Sequence, residues 1–100
     1  MAYVMSMRGA GAGSTPAQTL NWALDTVEEG DPFASGYVIP LSQTPVDADA
    51  ILVYSEGLVL FPTDWQYNAG TNEVEILFSA DPATDTADGV WHFFVQYPYA

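Results

Sequence analysis

The chain has 100 residues, 49% of them apolar, with thirteen acidic side chains against one arginine and no lysine, for a formal charge of −12. That length holds one domain, and the apolar content excludes a disordered acidic tail. The charge repels phosphate, which argues against nucleic acid and anionic membranes as partners, and the lack of cysteine excludes a disulfide scaffold.

Residues 1–14 read as an N-terminal arm ahead of a single domain over 15–100. Tyr3, Val4, Met5 and Met7 form an apolar tip beside Arg8, the sole basic residue. The run Gly9-Ala10-Gly11-Ala12-Gly13 supplies reach but cannot build a core. Such a tip suits a segment that orders against a neighbour, and methionine adapts to irregular surfaces. The arm lacks the basic start and continuous apolar core of a secretory signal, and no apolar run approaches a membrane span.

Thr15 to Gly30 reads two ways. Thr15, Pro16 and Gln18 fit an N-cap, a first-turn proline and a capping-box partner, and Leu20, Ala23, Leu24 and Val27 share one helical face. Against this, Leu20, Trp22 and Leu24 also alternate as in a strand, and Glu28 and Glu29 would oppose the helix dipole. The balance tips slightly to a short helix over 16–29.

From Phe33 onward the pattern is β. Strands are expected over 37–41, 50–54, 58–61, 65–68, 73–78 and 90–97, with Pro40 marking an edge or an interruption. Ser55-Glu56-Gly57 and Ala69-Gly70-Thr71-Asn72 supply hairpin turns, and 42–49 and 81–89 are loops. In the first hairpin Ile51, Val53, Leu58 and Leu60 are expected in the core. Yet that hairpin is apolar on both faces, and burial of one face is enough for a sheet in water. The second face must be covered by another layer of the domain or by a neighbouring polypeptide. In the last strand Trp91, Phe93, Val95 and Tyr97 point one way, and Phe94 points the other with Val90, His92 and Gln96. The expected fold is all-β, a small antiparallel sandwich of immunoglobulin-like or related type.

No catalytic constellation emerges. His92 is the sole histidine and sits within a strand, where a structural role is the simpler reading. There is no G-x-S-x-G elbow, and no Gly-Lys-Ser/Thr follows the glycine run. Asp81, Asp85 and Asp88, and the pair Asp47 and Asp49, do not match EF-hand spacing and read first as turn residues, with calcium binding by the 81–89 loop the open alternative. Trp65, Trp91 and the tyrosines read as core aromatics ahead of a sugar-stacking platform. The expectation is a binding protein with no enzymatic activity, cofactor or metal. Its interface candidates are Tyr3, Val4, Met5, Met7, Arg8, Trp22, Phe94 and Tyr99.

From Tyr37 to Tyr97 the chain resembles a small β-sandwich module of tailed-bacteriophage virion proteins. Thr44-Pro45 stands at that family's first loop and Ile51 to Val59 at its hairpin, with Ser55-Glu56-Gly57 where Asn-Gly is common. Asp64-Trp65 replaces an Asp-Tyr pair, and Glu73 to Phe78, Asp81-Pro82 and Gly89 to Tyr97 complete the series. The resemblance covers about sixty residues and is a pattern of turns and apolar positions; the first 36 residues lie outside it. It implies a virion structural protein assembled in the host cytoplasm, foremost a capsid decoration or cement protein on the capsid exterior. The partners implied are the major capsid protein or another virion protein, together with sister copies. A tail, neck or fibre accessory protein is the alternative, and a carbohydrate-binding module the alternative of another class.

Overall fold

The computed structural model describes residues 20–100. Seven strands, β1 (Asn21–Glu29), β2 (Tyr37–Pro40), β3 (Leu52–Ser55), β4 (Leu58–Val59), β5 (Trp65–Asn68), β6 (Glu73–Ile76) and β7 (Trp91–Tyr99), form two antiparallel sheets. One has the order β1-β7-β3-β4 and the other β2-β6-β5. The all-β sandwich is therefore the fold of this chain.

The region expected as a short helix over 16–29 is, from Asn21, a strand. β1 pairs with β7 along its whole length, from Asn21 opposite Tyr99 to Glu29 opposite Trp91. The alternating reading wins because β7 supplies nine residues of ladder, whereas a helix would place Glu28 and Glu29 at its negative end. Residues 16–19, like the arm, lie outside the described residues. The one α-helical turn among the described residues, α1 (Pro82–Asp85), falls in a stretch expected as loop. Asp81 caps it by accepting from the Ala83 N–H, and Pro82 stands in its first turn.

The core lies where the two inner faces meet. Ile39, Val74 and Ile76 from one sheet interdigitate with Val53, Phe93, Val95 and Tyr97 from the other, all essentially inaccessible to water. One end is closed by an aromatic cluster in which the Phe33 ring lies 4.9 Å from Tyr37, 5.7 Å from Phe93 and 6.0 Å from Trp91. Pro40 sits in β2, an edge strand, where its missing N–H costs no ladder bond.

The first hairpin turns on Glu56 and Gly57, both left-handed (φ 51° and 82°), the pattern of a two-residue type I′ turn. Ile51 and Val53 are buried as expected, and Leu60 packs against the core. Leu58 does not follow them and is 73% exposed. It faces the inner side of β4, opposite Ser55, but β4 is a two-residue edge strand, and the second sheet leaves a cleft there in place of a lid.

Candidate binding face

The register of the four-stranded sheet fixes which side chains share its outer face. Successive residues alternate between faces, so rows of outward side chains run across the strands. Trp22 lies beside Pro98. The next row is Leu24, Gln96 and Leu52, and the one after it is Thr26, Phe94, Tyr54 and Val59. None of these nine residues is charged. Trp22 is 59% exposed, Leu24 61%, Val59 56%, Leu52 42% and Phe94 38%. Their open area comes to roughly 500 Å², within the range where the largest apolar patch of a protein surface is often functional.

The outer face of the second sheet is built differently. Val38, Glu75 and Gln66 form one row there, and Pro40, Glu73 and Asn68 the other. Glu75 accepts from Gln66 Nε2 at 2.9 Å and from Asn68 Nδ2 at 3.0 Å. Those bonds, Asn68's and Gln66's together, hold its carboxyl below the ordinary range. One outer face is thus polar and acidic, and the other is apolar.

Carboxylates reappear at one end of the apolar face. The fourth row pairs Glu28 with His92. His92 Nδ1 lies 3.0 Å from Glu56 Oε2, and the same oxygen accepts the His92 backbone N–H at 2.6 Å. Nε2 is 3.8 Å from Glu28 and 3.9 Å from Asp88. The Glu56 bond, against a smaller effect of burial and aided by the charges of Glu56, Asp88 and Glu28, holds the imidazole above its usual 6.5. This explains why a residue other than glycine or asparagine occupies the first turn position: the Glu56 carboxylate ties the hairpin tip to β7.

Two depressions flank β4. One, of about 310 Å³, lies between Ile51, Leu52, Val59, Leu60 and Trp65. The other, of about 400 Å³, is lined by Leu58, Leu60, Phe61, Phe78 and Trp91, with Glu56 and Asp64 also facing it.

Of the interface candidates, Trp22 and Phe94 stand together on the apolar face. Tyr99 is half-buried and packs against the core. Tyr3, Val4, Met5, Met7 and Arg8 lie outside the described residues. Leu24, Leu52, Tyr54 and Val59 belong to the face and were not among the candidates. The two-faced hairpin signalled three of them, and the helical reading hid Leu24. Trp65 and Trp91 pack against the core, and Trp91 Nε1 donates to the buried Ser55 Oγ at 2.8 Å. The loop aspartates serve the backbone: Asp81 caps α1, Asp85 accepts from the Asp81 N–H, and Asp88 accepts from the Val90 N–H. Among the described residues no group of three or more His, Asp or Glu side chains is arranged to hold a metal ion. No protein-family model, curated protein or solved structure matches this chain, so the likeness to tailed-phage virion modules rests on the turn and strand pattern alone.

Proposed function

We propose that this protein is a structural component of a tailed-phage virion, a capsid decoration or cement protein that works by attachment. It docks through the outer face of β1-β7-β3-β4 on the major capsid protein or another virion subunit, at the capsid exterior. The observation that carries this reading is the asymmetry of the two outer faces: one sheet offers an apolar surface whose charge is confined to its Glu28–His92 end, and the other carries Glu73 and Glu75 across its middle. Burying roughly 500 Å² at about 25 cal/mol per Å² gives on the order of 12 kcal/mol. Association itself costs about 4–15 kcal/mol, so a single contact of this size binds weakly. Many copies on a lattice turn that weak contact into firm attachment. The acidic face then points outward and keeps particles dispersed.

Quantitative mass spectrometry of the purified source particle tests this. The expected result is this chain in numbers that match the capsid lattice. Numbers matching a tail or fibre would move it to an accessory role there, and its absence from the particle would overturn the proposal.

A further inference from the structure

We propose that β1 is a docking edge whose partner is β1 of a second copy of this chain, paired antiparallel about a twofold axis. Four strands stand at sheet edges, β1 and β4 in one sheet and β2 and β5 in the other. A free row of N–H and C=O groups is a template for another strand, and proteins guard such edges with short strands, proline, lysine or a bulge. β4 has two residues, β5 has four, and β2 has four including Pro40. β1 has nine, without proline or lysine, and its register against β7 runs from Asn21 to Glu29 without a bulge. Its carboxylates on the inner side, Asp25 and Glu29, already accept from Ser42, Tyr97 and Tyr37. Among the described residues no backbone bond reaches the outer side of β1. It is the long edge that the sequence leaves unguarded.

The ladder fixes which groups are free. In an antiparallel sheet the backbone groups of successive residues point to opposite neighbours. The His92 C=O accepts from the Glu56 N–H and the Pro98 C=O from the Val46 N–H, so the even residues of β7 bond away from β1. The odd residues bond to β1, and their partners there include Ala23, Asp25 and Val27. Trp22, Leu24, Thr26 and Glu28 therefore turn their N–H and C=O groups to the open side. Charge and pattern then choose the register. A twofold that keeps the two outer faces on one side sets like faces opposite, so it centres on a residue. Centred on Asp25, it opposes two carboxylates. Centred on Thr26, it sets Glu29 against the buried Ala23 and Glu28 within the apolar row. Centred on Ala23, it ends the ladder early, with Thr26 opposite Leu20. Centred on Leu24, it bonds Leu24 to its counterpart and Trp22 to Thr26 of the second copy, and no like charges stand opposite. The row Leu52, Gln96 and Leu24 then runs directly into the same row of the second copy, so the apolar outer face continues across the join. A strand that complements itself in this way, and extends that face, fits a second copy ahead of a foreign strand. The pairing stands on the strand edge and does not depend on the virion reading.

Sedimentation velocity and amide hydrogen exchange of the full chain over a range of concentrations test it, at about 0.15 M salt, where repulsion between two acidic chains is screened beyond about 8 Å. The wild type is expected to dimerise reversibly, and the amides of Trp22, Leu24 and Thr26 to exchange at least tenfold more slowly in concentrated than in dilute solution. Thr26→Pro removes an outward N–H and no bond to β7, and is expected to weaken the dimer at least tenfold, with circular dichroism checking that it folds. Leu24→Asp and Leu24→Lys each set like charges opposite at the centre of the join and are expected to weaken it as much, whereas an equimolar mixture of the two variants is expected to recover most of the loss. Association unchanged by Thr26→Pro, or no recovery in the mixture, would overturn the proposal. So would loss of association in Leu52→Asp with none in Thr26→Pro, which would place self-contact on the outer face. A chain monomeric at every concentration would overturn the second-copy assignment, and slow exchange of the three amides in that monomer would show the edge covered within one molecule.

Discussion

The hydroxyl of Tyr97, a residue with no accessible surface, donates to Asp25 Oδ2 at 2.6 Å across the β1–β7 pair. The same hydroxyl accepts from the Gln43 N–H at 3.0 Å, and Asp25 accepts from Ser42 through its Oγ at 2.6 Å and its N–H at 3.0 Å. Two strands and the loop after β2 thus share one polar knot at the edge of the core. Burial pushes the Asp25 carboxyl up, but the bonds from Ser42 and Tyr97 together outweigh it and hold the group below its ordinary 3.8.

Asp25→Ala removes the acceptor and leaves the Tyr97 hydroxyl with its Gln43 bond alone. The expected cost is about 1–3 kcal/mol at neutral pH, read from denaturant unfolding. A carboxyl lowered by folding contributes stability above its unfolded pKa and loses it as pH falls through the folded value. The gap between wild type and Asp25→Ala should therefore be full at neutral pH and narrow as pH falls below 3.8. A gap that widens in acid would contradict this assignment.

His92 offers a second titration with the opposite sign. Its raised pKa means that protonation stabilises the fold, fully below the unfolded value of 6.5, with the benefit lost as pH rises through the folded value. As the only histidine, its imidazole resonances in an NMR titration need no assignment. Wild type should titrate above 6.5, and Glu56→Gln should bring the midpoint down. An identical midpoint in the two proteins would show that Glu56 does not hold the ring.

The glycines of the two hairpins should respond differently to alanine. Gly57 has φ +82°, and an added Cβ there meets nothing, so the cost of Gly57→Ala is purely conformational, about 1–2 kcal/mol. Gly70 lies in open space without a positive φ, and Gly70→Ala should be neutral within about 0.5 kcal/mol. Thermal melts of both variants check the contrast. Equal effects would mean that the type I′ geometry is not what Gly57 supplies.

The β7 alternation, both hairpins and the edge position of Pro40 were readable because each is a local pattern of period two or a turn signal. β1 was ambiguous for a physical reason. Leu20, Leu24 and Val27 satisfy a helical spacing, while Trp22 and Leu24 satisfy a strand, and the arbiter is a ladder with residues about seventy positions away. Leu58 shows a different limit. Its parity places it on the inner side, but whether the opposing sheet extends over it depends on strand lengths in another part of the chain. Asp25 carried no signal at all, since an inward carboxylate becomes intelligible only once Tyr97 and Ser42 are seen beside it. The apolar outer face was half legible: the hairpin announced two apolar faces, and the structure identified the four-stranded sheet as the one left open.

That open face is the centre of the account, and hydroxyl-radical footprinting of the protein, free and within the virion particle proposed to contain it, tests it most directly. Trp22, Leu24, Leu52 and Phe94 should be modified in the free protein and protected in the particle, while Val38 on the opposite outer face stays reactive in both. Protection of Val38 with Trp22 and Leu24 still reactive would contradict it, and would place attachment on the acidic sheet.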